Sequence, residues 1–559
     1  MRRLSISIEH ALYAVILLAA FALRFASLGD SLLNESEAQA VFPAHQIARG
    51  EEVSLGDQAG YTILTAVSFS LTSSSEFIAR LWPALFGVAL VALPYFWRDV
   101  IGPKPALILA ALLALDPGMV AVSRIASGRM IAPAAGLLAI TAWRYGRSYF
   151  AVTLGILAML AAPTIFIGLL VLLSSNLISP LKKKSSRSSG STVRRAIAFA
   201  VALYLMGTTL FFIVPSGLSA VGNMVSGFFA GWLQGSGVSS MEVLFALFAY
   251  NLPVVIFGLI GGFRSWTGSG RAAKLLPFLA LFSLLLVIWY PGRQVADLVW
   301  VTLPLSILCA IELSRYFYLP TNETKAAFGE MGLALILGLF FYLMLAKAAN
   351  SDPNSELFRN VWLAAGAVPI LLAIATVLIS YGWSRQAAAH GLVWGVSLLS
   401  VMALMSASSR FANPENGGAN ELWGPGPSIG ELRLVESSLA DLSSREEGQS
   451  AAVAVESRVE SAALDWILRD YPEPRNNLLD ATHQLVITGV KTENQTHLTT
   501  YRGQSFPLYI HRAWGAWPPN LLKWLLFREA PMFSDQAILW ASADLVPGSA
   551  VQENPEENP

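Results

Sequence analysis

Apolar runs separated by short, mostly polar breaks occupy the chain from Ala11 to about Ser408. A helix needs about 20 apolar residues to cross a bilayer, so these runs predict roughly thirteen membrane-spanning helices. They fall near 11–28, 77–97, 104–122, 130–146, 148–162, 163–178, 196–214, 241–262, 275–290, 296–313, 331–347, 360–382 and 388–408. The fifth and sixth are short and are expected to tilt or to meet inside the membrane. The stretch from Ala59 to Leu71, also short and rich in Ser and Thr, is expected to lie in the interface rather than cross. Beyond Phe411 the pattern changes. LDWILRDY, HQLVITGV, SFPLYIHRAW, LLKWLLFRE and QAILWASADL mix helical and strand periods and predict a small α/β or α+β module.

The organisation that follows is a membrane domain over 1–410, a Pro/Gly/Asn-rich linker over 411–430, a soluble domain over 431–546 and a tail over 547–559 expected to be disordered. In the Trp-rich run AWGAWPPNLLKWLLF, the rings suit a membrane surface or a glycan, and at least as well a packed core.

Composition agrees with the pattern: 54% of residues are apolar and 13% charged, which excludes a soluble chain of 559 residues. From Phe411 on, 20 Asp and Glu stand against 10 Lys and Arg, so the terminal module is acidic. The single cysteine, Cys309, lies in an apolar run, which rules out a disulfide framework or a thiolate metal site. MRRLSISIEH and the apolar run after it look like a signal peptide without a cleavage site, hence a retained anchor.

Basic residues at the ends of spans are retained in the cytoplasm. With KKKSSRSSGSTVRR (Lys182 to Arg195) inside, the alternation also puts Arg2, Arg3, Arg98, Lys104, Arg144, Arg147, Arg264, Lys274, Arg315 and Arg385 inside. The N-terminus is then cytoplasmic and the terminal domain outside, in a multi-pass protein of the plasma membrane.

Three loops fall on the opposite face. The first, from about Gly29 to Glu76, carries Asp30, Glu35, Glu37 and His45; SRIASGRM carries Arg124 and Arg129; YPGRQVAD carries Tyr290, Arg293, Gln294 and Asp297. Carboxylates and guanidiniums meeting on one face suit a reaction on a lipid-linked phosphate. A carboxylate can deprotonate or orient a hydroxyl while Arg grips the departing phosphate. Taken singly, each has a plainer reading: solvated acids, arginines snorkelling to headgroups, and a surface histidine in His45. Asp116, in apolar surroundings near the end of the third span, would be costly left idle, and pairing with Arg124 or Arg129 or contact with water would relieve it. No two histidines stand four apart, which argues against a helix-borne His metal site.

In order and topology these features resemble the GT-C superfamily of polyprenyl-phosphate-sugar-dependent glycosyltransferases, the type that includes protein O-mannosyltransferases and lipid A aminoarabinose transferases. Glu35-Ser36 followed by AQAVFPAHQIARG is similar to the family's Asp-Glu and amphipathic helix ending in Gly, with Glu35 at the catalytic position. SEFIARLWPALFGVALVALPYF, LLALDPGMVAVSRIASGRM and YPGRQVADLVWVTLPLSILCAIEL resemble its second span, its Ser-Arg segment and its late loop arginine, here Arg293, before a Pro-containing span. Two departures stand out. Arg129 occupies the place of an acidic residue, and SLGDQAGY replaces a basic-residue-plus-Pro element.

The resemblance implies an all-α polytopic membrane domain of GT-C type with a soluble C-terminal domain. It implies an inverting transferase that moves a sugar from a polyprenyl-phosphate donor to a protein, lipid or glycan acceptor outside the cell. Glu35, backed by Glu37, is then the catalytic carboxylate. Arg293, Arg80, Arg124, Arg129, Tyr290 and Gln294 are donor-phosphate contacts, with Asp116, His45 and Asp297 in support. Membrane lipids are partners, nucleic acid is not, no cofactor is expected, and a divalent metal is left open. A lipid-linked oligosaccharide flippase or a non-catalytic envelope-assembly scaffold of the same architecture is the alternative.

Overall fold

The structure is a computed structural model, and it describes residues 7–178, 190–210, 212–268, 273–318, 323–413, 420–424, 428–447, 453–472, 485–490 and 501–542. The lysines of the Lys182 loop and the 547–559 tail lie outside the described residues. Contacts divide the chain into two units. The first comprises 1–31, 43–425 and 514–530, and the second 32–42, 426–513 and 531–559. The division therefore does not fall at one point in the sequence.

The first unit is helical. In chain order its helices are α1 (Ile8–Phe25), α2 (Glu35–Ala48), whose residues 35–42 fall in the second unit, α3 (Ala59–Leu71), α4 (Glu76–Ile101), α5 (Pro103–Leu115), α6 (Pro117–Ser123), α7 (Ile131–Arg144), α8 (Ser148–Ala161), α9 (Ile165–Ile178) and α10 (Gly190–Thr208). Then follow α11 (Ala220–Leu233), α12 (Ser240–Thr267), α13 (Leu275–Trp289), α14 (Val299–Ser314), α15 (Thr324–Ala349), α16 (Glu356–Gly382) and α17 (Arg385–Ala412). Every apolar run predicted to span is helical over most of its length, the run 196–214 leaving its helix at Thr208. Seven helices among the described residues are long and apolar enough to cross a membrane, or eight if the bent pair α5 and α6 is one span. Helices α7, α8, α9 and α13 are apolar but only 14 or 15 residues long, short of the ~20 a perpendicular crossing takes. The apolar helix α11, interrupted by Gly and Ser, was not anticipated.

Two breaks shape this unit. Asp116 ends α5 and caps α6 by accepting from the Met119 N–H at 2.9 Å, and the axis turns by 58° there. Asn251 interrupts α12 two residues before Pro253, whose ring cannot continue the hydrogen-bond ladder. The core runs through α5, α6, α12 and α14, and Leu422, Trp423 and Trp524 complete it. Trp524, from the Trp-rich run, lies on helix α20 (Leu521–Phe527) and is fully buried there, so for this residue the packed-core reading holds.

The second unit is built on a five-stranded sheet ordered β1 (Ser428–Ile429), β4 (Tyr501–Arg512), β5 (Met532–Ser542), β3 (Leu485–Gly489), β2 (Val455–Ser457). Only β2 and β3 run parallel. With α18 (Leu432–Glu447) and α19 (Ala462–Leu468) it is an α+β unit. Strand β3 is apolar and buried on both faces, as its continuous Leu-Val-Ile run requires.

Candidate functional site

The loop before α3 ends Gly56-Asp57-Gln58, and the loop between α6 and α7 carries Gly128-Arg129. The Gly128 N–H donates to Gln58 Oε1 at 2.8 Å, which sets the neighbours Asp57 and Arg129 side by side. Only glycine fits at 128, because a Cβ there would stand 1.7 Å from the Ala161 carbonyl oxygen. Arg129 Nη1 donates to Asp297 Oδ1 at 3.3 Å. Asp297, buried, accepts in turn from the Gln294 N–H at 2.8 Å, in a capping box that opens the helical turn leading into α14. One guanidinium thus joins the second and third loops.

Helix α11 closes the group from another side. The Tyr290 hydroxyl donates to the Phe228 carbonyl at 3.0 Å, and the two rings stack with centroids 5.1 Å apart. A side chain at Gly231 would collide with Tyr290, its Cβ falling 1.9 Å from the hydroxyl oxygen. Gly227, one residue before Phe228, faces Asp57 with 3.4 Å between its Cβ position and Asp57 Oδ2. Asp57, Arg129 and Asp297 all act electrostatically on Tyr290. The loop before α3, the second and third loops and α11 therefore converge on one place.

Its groups differ in how fully they are engaged. Arg129 is 24% exposed, and among described residues its bond to Asp297 is its only hydrogen bond, so Nε and Nη2 are open to a ligand. Arg293 donates from Nη1 to the carbonyls of Ile288 at 3.1 Å and Tyr290 at 2.8 Å, which fixes its loop. Asp57 is exposed, and among the described residues its carboxylate accepts only from its own main-chain N–H. The protein around its recess pushes that carboxyl above the ordinary value, while Arg129 pulls it down.

The remaining residues that the sequence singled out have other partners. Arg80, buried, donates to the carbonyls of Leu28 and Ser31 and to the Ser31 hydroxyl. Arg124 donates to the carbonyls of Leu23, Arg24, Ala26, Ser27 and Ala412. Both forks hold the end of α1 and the chain that leaves it. His45 is buried rather than on the surface, with Nδ1 2.8 Å from the Ser74 hydroxyl. Asp116 faces Arg24 and Asn251, not Arg124 or Arg129. Arg24 in turn spans three carbonyls at the adjoining ends of α1 and α5.

Glu35 and Glu37 sit in the second unit, in the segment 32–42. Asn34 caps α2 by accepting from the Glu37 N–H at 2.9 Å, and Glu37 Oε2 accepts from the Asn34 N–H at 3.1 Å. That is a capping box, legible in Asn-Glu-Ser-Glu but missed when the acids are read as chemistry. The Glu35 carboxylate accepts from Tyr509 Oη at 2.5 Å, the Ala462 N–H at 2.9 Å, and Ser461 Oγ and the Ala463 N–H at 3.1 Å each. Burial would push its carboxyl up, but these donors outweigh burial and hold it below the ordinary carboxylate value. Among the described residues no three of His, Cys, Asp and Glu gather as a metal site.

No protein-family model matches the sequence, and no curated protein matches it. The fold does have solved counterparts. ArnT from Cupriavidus metallidurans bound to undecaprenyl phosphate superposes with a TM-score of 0.54 at 15% identity, covering 96% of this chain and 98% of that one. Its apo state gives 0.52 at the same identity and coverage. At that identity the shared property is the fold, and it extends over nearly the whole of both chains: this is a polytopic membrane protein with the ArnT fold.

Proposed function

We propose that the protein is an integral membrane glycosyltransferase of the GT-C kind, which transfers a sugar from a polyprenyl-phosphate donor to an acceptor on the non-cytoplasmic face. The observation that carries this reading is Arg129, an arginine fixed by Asp297 on one side with the rest of its planar fork open. Such a fork suits a phosphate monoester bound in bidentate fashion, and its charge offsets what builds on the phosphate as the bond to the sugar breaks. The likeness in fold to a protein that binds undecaprenyl phosphate supports the same ligand class here. Arg293, on the loop that carries Asp297, supplies a second positive charge. Arg80 and Arg124 serve the reading indirectly, by holding the first loop in place.

Purified protein should bind undecaprenyl phosphate, and Arg129→Met should weaken that affinity tenfold or more, within the ~1.5–3 kcal/mol typical of a hydrogen bond to a charged group. Arg129→Lys should recover only part, because an ammonium keeps the charge and loses the fork. A parent protein that binds the lipid but releases none from any undecaprenyl-phosphate-linked sugar would turn the reading towards lipid translocation.

A further inference from the structure

We infer that Asp57 is the carboxylate that receives the acceptor's proton in this site, an assignment that rests on the transferase reading above. Asp57 is exposed, and no side chain among the described residues donates to it. The Gln58–Gly128 hydrogen bond and the Arg129 charge acting on it place it near Arg129, and its Oδ2 lies against Gly227 of α11. Through its exposed side an acceptor hydroxyl can reach Asp57 while Arg129 holds the donor phosphate.

The bonds balance without a further reactant. The acceptor oxygen forms a bond to the sugar's anomeric carbon as its proton passes to an Asp57 carboxylate oxygen. The bond from the anomeric carbon to the phosphate oxygen breaks, and polyprenyl phosphate leaves with the electron pair against Arg129. The carboxyl of Asp57, raised by its recess, is better matched to accepting a proton than one lowered by several donors. Glu35 is of the second kind, with a hydroxyl-bearing pair and two amides already on it.

The test follows release of undecaprenyl phosphate from undecaprenyl-phosphate-linked hexoses and pentoses, with a membrane extract supplying acceptors, alongside binding of undecaprenyl phosphate itself. Asp57→Asn should lower release by about a hundredfold or more, as loss of a general base does. Binding should stay equal or tighten, since a negative charge beside the phosphate has been removed. That opposite movement is what a merely misfolded variant cannot give, and Asp57→Glu should restore part of the release. Asp57→Asn releasing within threefold of the parent overturns the assignment and leaves the transferase reading intact. So does Asp57→Asn that has lost lipid binding. A parent without release overturns both.

Discussion

Glu35 and Asp57 are carboxylates on the same stretch of chain between α1 and α4, and the structure treats them in opposite ways. Glu35 is enclosed by a tyrosine hydroxyl, a serine hydroxyl and two main-chain N–H groups of the second unit, all donating to it. Asp57 stands exposed in the first unit, beside an arginine that still has donors to offer. Several donors make a carboxylate a good anchor and a poor base; few donors do the reverse. Place in a sequence pattern draws attention to Glu35, whereas the count of donors draws it to Asp57.

The largest effect is expected from removing the Asp57 side of this contrast altogether. Gly128→Ala drives a Cβ into the Ala161 carbonyl, and the main chain must move away from Gln58. A cost of ~3 kcal/mol is expected for such overpacking, read as a lower melting temperature, with lipid binding lost and the second unit's sheet unaffected. A variant that melts and binds as the parent does would mean Gly128 does not place Arg129.

Glu35→Gln acts on the other side. Losing the charge weakens each of its hydrogen bonds, and about 1.5–3 kcal/mol of stability in the second unit is expected to go. The sign in pH is fixed by the lowered carboxyl. Its contribution is complete above the ordinary carboxylate value and is lost as pH falls through the folded value. Acid unfolding of the parent should therefore be steeper than that of Glu35→Gln, and equal steepness would show that the seat contributes nothing.

Tyr509→Phe is the finest cut, removing one donor while Ser461, Ala462 and Ala463 remain. About 1 kcal/mol is expected, with release from lipid-linked sugars unchanged. A large loss of release in this variant would return catalytic standing to Glu35.

Much of the fold was legible because bilayer physics constrains it. The predicted spans are helical over most of their lengths, although seven or eight rather than thirteen are long and apolar enough to cross among the described residues, and HQLVITGV and SFPLYIHRAW contain β3 and the C-terminal half of β4 as their alternating or apolar runs suggest. The short helix α11 was not, since AVGNMVSGFFAGWL is broken by small residues and satisfies no length rule. The site was legible as composition on three loops but not as geometry. A sequence reports that Arg80, Arg124 and Arg129 are charged; it does not report which fork meets main-chain carbonyls and which meets a carboxylate. The two departures from the family's pattern, Arg129 and SLGDQAGY, look like separate losses in the sequence. Folded, they are adjacent, and the Gln58–Gly128 bond joins them.

One cluster in the helical unit carries a consequence for how the chain is made. Tyr250 of α12 donates to Glu421, Glu421 pairs with Arg528 at 3.2 Å, and the Arg528 guanidinium lies over the rings of both Tyr250 and Trp524. Trp423 lies over Gly118 of α6, and the Trp524 indole donates to the Asn420 carbonyl. Glu421, Trp423, Trp524 and Arg528 are all synthesised after the last long helix, hundreds of residues downstream of Gly118. Until the ribosome reaches Arg528, the inserted helices keep an unfinished polar seam around Tyr250, and a quality-control protease would meet it there. A nascent chain halted between α17 and α20 is thus expected to be short-lived in the membrane even with every span in place.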